Sequence, residues 1–182
     1  MTQTLSSLTL PTQFAPILSH RLNSMLQTPP VVLALGSDKH TTDCFGPLTG
    51  HYLKAMNLPT VVYGCLNDPL NALTLPNMYQ LLQNKHKKST VLALDSMIGN
   101  KSDIGKLKLC SSGLYPGSGI GKKFPLIGDI SLTAIIIDKQ SFLQKEPIGL
   151  GQVHKLAIAA AKIVYNAIVQ LFNQTSFLHS LL

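Results

Sequence analysis

The sequence predicts an α/β fold built on parallel strands, and three observations carry that prediction. Short uninterrupted apolar runs, Val31 to Leu35 and Val91 to Leu94, stop at Gly36 and Asp95, as strands buried on both faces do. Stretches of helical periodicity alternate with them, and alternating strands and helices pair in parallel through right-handed crossovers. The chain has 182 residues, 45% apolar and 13% charged, which is enough for one hydrophobic core and too apolar for disorder. A single domain over 1–182, with its core in 31–173, is expected.

Phe14, Ile17, Leu18, Leu22, Met25 and Leu26 recur at helical spacing until Pro29 and Pro30 stop the pattern. The strand Val31 to Leu35 leads into a polar loop, Ser37 to Cys44. A helix through Pro47, Leu48, Tyr52, Leu53 and Met56 follows, with the proline where a first turn tolerates it. Thr60 to Tyr63 reads as a strand, Pro76 to Asn84 as a helix and Val91 to Leu94 as a strand that terminates at Asp95. Glycines 99, 105, 113, 117, 119 and 121 then mark functional loop, with one short strand candidate at Gly105 to Leu109. Ile130 to Ile137 is a β-branched strand, and Gln152 to Asn173 is the strongest helix, with Lys155, Lys162, Asn166 and Gln170 off its apolar face.

Fifteen basic residues face eight acidic ones, yet Arg21 is the single arginine, and readers of nucleic acid concentrate arginine. Lys85, Lys87 and Lys88 around His86 read as a solvated helix end. No nucleic-acid partner is expected. Cys44, Cys65 and Cys110 lack metal-type spacing and do not form a disulfide framework. Met1 to Pro16 has neither a basic n-region nor a continuous apolar run, so it does not read as a signal peptide. No uncharged apolar stretch approaches the ~20 residues that span a bilayer. A reducing cytoplasm, without membrane association, is the expected setting.

Most carboxylates fall in loops or at strand ends rather than on helix faces. Ligands of an open α/β sheet bind beyond the carboxyl ends of its strands. Asp38 and Asp43 follow one strand and Asp95 closes another, so both loops can face one crevice. Two neighbouring carboxylates can share a proton, one acting as base toward water and the other as acid, or can hold a divalent cation that lowers the pKa of bound water. These alternatives stay open at this level. Asp43 also suits an ordinary helix cap, and Asp95 an ordinary turn. Pro116 to Lys123 fails as a phosphate loop, because the glycine spacing and the Ser or Thr after Gly-Lys are missing. It remains a glycine turn whose backbone N–H groups suit a peptide or an oxyanion. Cys44 at a helix N-terminus, where a thiol's pKa is depressed, offers a third reading as a nucleophile with His40 or His51 as base, and a small buried residue under the first turn is the stronger one.

The ordered motifs Gly36-Ser37-Asp38-Lys39-His40-Thr41-Thr42-Asp43-Cys44-Phe45-Gly46-Pro47, Tyr63 to Pro69, Leu94-Asp95, Pro116 to Lys122 and Gly128 to Ser131 resemble the YyaC-like spore protease family over Val31 to Ile137. That family resembles in turn the germination protease of spore formers and the hydrogenase-maturation endopeptidases. The resemblance implies a three-layer α/β/α fold with a twisted, mostly parallel central sheet. It implies that Asp43 and Asp95 are the catalytic or metal-binding acids, and that Pro116 to Gly119 matches a Pro-Gly-Ser-Gly segment of the germination protease. No histidine lies between Asp95 and Gly151, where the hydrogenase-maturation enzymes place a third nickel ligand. The aspartate-only arrangement is the closer analogue.

The expectation is therefore a sporulation-associated cytoplasmic endopeptidase acting on a protein or peptide. Asp43 and Asp95 are catalytic, directly or through a divalent cation that they hold. Gly36, Asp38, Asp68 and Asp129 line the crevice, and the backbone of Gly117, Ser118 and Gly119 holds substrate. The rival reading is a catalytically silent peptide- or metal-binding protein of the same fold. A third reading is a structural assembly subunit, a homo-oligomer resting on the apolar helices at both ends of the chain, with the tail residues Phe177, Leu178, Leu181 and Leu182 docking on the same subunit or a neighbour.

Overall fold

A computed structural model of the chain describes residues 7–117, 121 and 123–179, with side chains as far as residue 174. Six strands form one sheet: β1 (Ser7–Pro11), β2 (Val31–Ala34), β3 (Val62–Tyr63), β4 (Val91–Gly99), β5 (Lys106–Cys110) and β6 (Ile130–Asp138). Their spatial order is β1-β5-β6-β4-β2-β3. The pairings β2–β3, β2–β4 and β4–β6 are parallel, whereas β5 runs antiparallel to both β6 and β1. The helices are α1 (Ala15–Met25), α2 (Phe45–Ala55), α3 (Leu75–Lys85), α4 (Lys139–Leu143) and α5 (Leu150–His179). Helices lie on both sides of a mixed, mostly parallel sheet, the three-layer α/β arrangement.

The two sides differ, and side-chain alternation along the strands decides how. Val32, Ala34, Leu92, Leu94, Ile130, Leu132, Ala134, Leu107 and Leu109 point into the larger core, which α1, α2 and α5 complete. Val31, Leu33, Val91 and Ala93 point the other way, into a smaller core with Leu75 and Met78 of α3. On that second side β5 and β6 present polar residues, Lys108 and Cys110 beside Ser131 and Thr133. The segment after β5 roofs them. It bridges back on itself between Leu114 and Ile127, and its Ser112 carbonyl accepts a 2.8 Å bond from the Ser131 hydroxyl.

Three differences from the sequence reading bear on the site. Asp95 does not terminate a strand. β4 continues for four residues beyond it because β6 is equally long and pairs with it as far as Gly99 and Asp138, across one register shift at Met97 and Ile98. Beyond Leu94 the neighbouring lane of β2 is empty of strand, since β2 ends at Ala34. Two elements also went unforeseen: β1, whose partner lies about a hundred residues away in β5, and α4. The latter is five residues long and is capped by Asp138, whose carboxylate accepts from the Gln140 and Ser141 N–H groups at 3.0 and 3.1 Å.

α5 is the long helix expected, extended to His179. By length and composition Leu150–Gln174 is long and apolar enough to cross a membrane, although Lys155 and Lys162 keep it from being an uncharged stretch and the core helix of a globular fold passes the same test. Lys155 and Lys162 are too few to break the apolar window. Half of that window is buried in this fold, against α1, α2 and the sheet. Two buried polar side chains of α1 fix the crossing, Ser19 donating to the Ile163 carbonyl at 3.2 Å and Asn23 to the Ala167 carbonyl at 2.8 Å. Ala157, Ala160 and Ala167 keep the helix surface low enough for this approach. Asn23→Ala is expected to lower unfolding free energy by about 1 kcal/mol or more; an unchanged urea midpoint would show that this bond contributes nothing net.

Candidate active site

The site forms where β2 ends and β4 continues. After the last ladder bond, Leu35 N–H to the Leu94 carbonyl at 2.8 Å, the chain turns at Gly36 with φ 129°. Only glycine adopts that backbone without strain, and a Cβ there would overlap the Asp43 carbonyl. The Ser37 N–H donates to that carbonyl at 3.0 Å and the Asp43 N–H to the His40 carbonyl at 2.9 Å, which closes the loop into a 3₁₀ turn at Thr41–Asp43. α2 then starts so close to β2 that a Cβ on Gly46 would overlap the Leu35 carbonyl. Cys44 holds the capping position of α2, without a side-chain capping bond. Asp43 is therefore not an ordinary N-cap.

Asp95 meets this loop from β4. Its carboxylate accepts the Ser96 N–H at 2.8 Å, and the Ser96 hydroxyl donates to the Thr42 carbonyl at 2.7 Å. That bond fastens the residue before Asp43 to the residue after Asp95. Both carboxyls line a cleft of about 810 Å³ with Gly36, His40, Thr133 and Lys108, walled by Leu70, Met97, Ile98, Leu114, Phe124 and other apolar side chains. The volume is that of a ligand pocket rather than a packing gap.

The two acids titrate differently. Burial raises Asp43 above the usual carboxylate range, and a cationic His40 and the Ser37 N–H offset part of this. Asp95 is raised much further, first by burial and then by the charge of Asp43, against which the Ser96 N–H is a small correction. The repulsion falls on Asp95 because Asp43 ionises while its neighbour is still neutral; Asp95 must lose its proton beside an existing anion. The pair resists a second charge, and Asp95 is the carboxyl that burial and its neighbour favour in the neutral form.

The other expected site residues are distributed unevenly. Gly36 and Gly117 line the cleft, whereas Asp38 and Asp68 are exposed on loops at the same end of the sheet and outside its lining. Ser118 and Gly119 lie outside the described residues. Asp129 is a correction: it precedes a strand parallel to β4 and so sits at the amino ends, where its carboxylate accepts the Val91 N–H at 2.8 Å. Phe177 and Leu178 fall within α5, Leu181 and Leu182 outside the described residues. Cys44 is buried and its thiol donates to the Thr41 carbonyl at 3.4 Å, with burial and Asp43 raising its pKa, the opposite of an activated nucleophile. Sequence reasoning missed Lys108 and Thr133. Alternation in Lys106-Leu107-Lys108-Leu109 and Ser131-Leu132-Thr133-Ala134 was the available signal, since it gives each strand one polar face.

Among the described residues no group of three or more His, Cys, Asp or Glu is placed to hold a metal ion. Asp43 and Asp95 are two hard oxygen donors, which suits a magnesium-like cation that keeps several waters and fits a nickel or zinc site poorly.

Residues 6–163 match the family model described as a protein of unknown function, DUF1256. The uncharacterized protein YyaC of Bacillus subtilis (strain 168) is 34% identical over 125 residues, 68% of this chain. The match covers 61% of that relative's length, so the chain spans less than two thirds of the curated relative it resembles.

The shifts fix a pH dependence. An acid with a raised pKa in the folded state contributes stability below its unfolded value, near 3.8, and loses it as pH rises through the folded value. Asp95→Asn cannot ionise. It is expected to melt higher than wild type at neutral pH and to converge with it near pH 4. Parallel melting curves across that range would refute the placement of Asp95.

Proposed function

The chain belongs to the DUF1256 family, described only as proteins of unknown function, and we propose that it is an endopeptidase in which Asp43 and Asp95 share one proton to activate water. The observation that supports this reading is the pair itself: one acid from the loop after β2 and one from within β4, electrostatically coupled, in a cleft wide enough for a peptide. Ionised Asp43 takes a proton from water as the oxygen attacks the peptide carbonyl carbon, and protonated Asp95 gives its proton to the carbonyl oxygen. When the intermediate collapses, the C–N bond breaks, Asp43 passes its proton to the departing nitrogen and Asp95 recovers its own. The Gly117 backbone, with φ 70°, would face the substrate from the roof. The apolar walls suit hydrophobic side chains beside the cut bond. A divalent cation held by Asp43 and Asp95 would lower the pKa of the attacking water in place of proton sharing.

A second reading, capture of a peptide without turnover, draws on the same apolar walls and needs no proton transfer. The setting we propose is the cytoplasm of a spore-forming cell, in keeping with three cysteines that are all free and with the resemblance set out above.

Cleavage is measured by mapping new N-termini in a cell lysate treated with the protein. Asp43→Asn and Asp95→Asn should each lower turnover by about a hundredfold or more, and the pair should abolish it. The wild-type rate should rise with ionisation of Asp43 and fall with ionisation of Asp95. Turnover that survives EDTA supports proton sharing, and turnover restored by magnesium supports the cation. Cleavage undiminished in the double variant would reject the assignment, and saturable peptide binding without any cleavage would favour the second reading.

A further inference from the structure

The proposed hydrolysis gives no role to the lysine in the cleft lining. Lys108 is half-buried and lines the cleft on the polar side of β5. In register, Asp95 of β4 stands opposite Thr133 of β6, and Thr133 stands opposite Lys108 of β5. The three form one row across the sheet and all three line the cleft. Thr133 also holds the Lys108 strand, its hydroxyl lying 3.4 Å from the Lys108 carbonyl.

A cation in a partly desolvated cleft is stabilised by an anion, and among the described residues none is paired with Lys108. The chain's eight acids are all placed. Asp43 and Asp95 are at the far end of the row. Asp103 pairs with Lys106 at 2.8 Å, which turns the other lysine of that strand face away from the question. Asp129 binds the Val91 N–H and Asp138 caps α4. Asp38, Asp68 and Glu146 are exposed and outside the cleft lining. Among the described residues no ion pair engages Lys108.

We propose that Lys108 is a specificity-determining residue that receives a carboxylate of the substrate, so that the cleft selects peptides carrying an anionic group on one side of the cut bond. The proposal rests on the peptide-hydrolysis reading. Adjacent strands are about 4.8 Å apart, so the backbones of Asp95 and Lys108 are separated by about 10 Å. An extended peptide advances ~3.3 Å per residue, which sets the anion roughly three residues from the cut bond. An acidic side chain and a free C-terminal carboxylate present the same chemistry, and the experiment separates them.

Binding is measured calorimetrically on the full chain carrying Asp43→Asn and Asp95→Asn, near-isosteric changes that together are expected to abolish turnover. The probes are synthetic decapeptides of Leu, Ala and Ser with a single Glu or a single Gln, and a neutral decapeptide with a free or an amidated C-terminus. A charge-assisted contact predicts that an anionic member binds roughly ten- to a hundredfold more tightly than its neutral counterpart. The Glu/Gln pair reports a side chain and the free/amidated pair a chain terminus. Lys108→Gln should erase the preference, Lys108→Arg should keep most of it, and Lys108→Glu should transfer it to a Lys-bearing decapeptide. Equal binding of anionic and neutral peptides, a preference that survives Lys108→Gln, or no binding by any probe would overturn the proposal. A Lys108-dependent preference with no cleavage by wild type would retain the anion site while removing the peptidase reading, and cleavage without preference would do the reverse.

Discussion

A carboxyl group in the middle of a parallel strand, facing a second carboxyl, is the constraint around which the rest of the structure is arranged. Burying one acid disfavours its charge, and a neighbouring acid disfavours it again. The fold accommodates Asp95 by favouring its neutral form, by giving it the Ser96 N–H, and by placing it where β2 has ended and a cleft takes the place of a neighbouring strand. Asp43 is brought there by backbone geometry more than by side-chain bonding. Gly36 and Gly46 allow the loop and the start of α2 to press against the end of β2, and one hydroxyl bond, Ser96 to Thr42, ties the loop to β4.

The unequal covering of the sheet explains why the cleft is where it is. Three helices cover one side and make a continuous apolar core. On the other side α3 covers β2 and the first half of β4, and described residues between β5 and β6, among them Leu114 and Phe124, wall the cleft beyond. Polar side chains on strands, costly inside a packed core, are tolerated beside that cleft. Ser131 uses its hydroxyl to fasten the roof and Thr133 to hold β5, while Asp95 and Lys108 lie at the two ends of the row.

What could be read from the residues followed from their periodicity. Val31 to Leu35, Val91 to Leu94, Ile130 to Ile137 and the long final helix declare themselves because double-faced burial and amphipathic burial leave different patterns. The meeting of Asp43 with Asp95 could be anticipated because parallel strands collect their following loops at one end. The full length of β4 could not, because residues 96–99 are strand only by virtue of their partner β6. Asp129 was misplaced for a related reason: a residue just before a parallel strand lies at the opposite end from a residue within or after one. Lys108 was hidden because a lysine alternating with leucines normally marks a solvent-facing strand, and nothing local announces a roof contributed by the residues that follow.

The account stands or falls on coupling between the two acids. Carboxyl carbon NMR of the chain labelled at aspartate, titrated in wild type and in Asp43→Asn, measures it at the atoms concerned. One carboxyl, Asp95, should titrate well above the usual carboxylate range, and its midpoint should drop when Asp43 is neutralised while remaining raised by burial. An Asp95 signal in the ordinary range, or one that ignores the substitution at Asp43, would contradict the account.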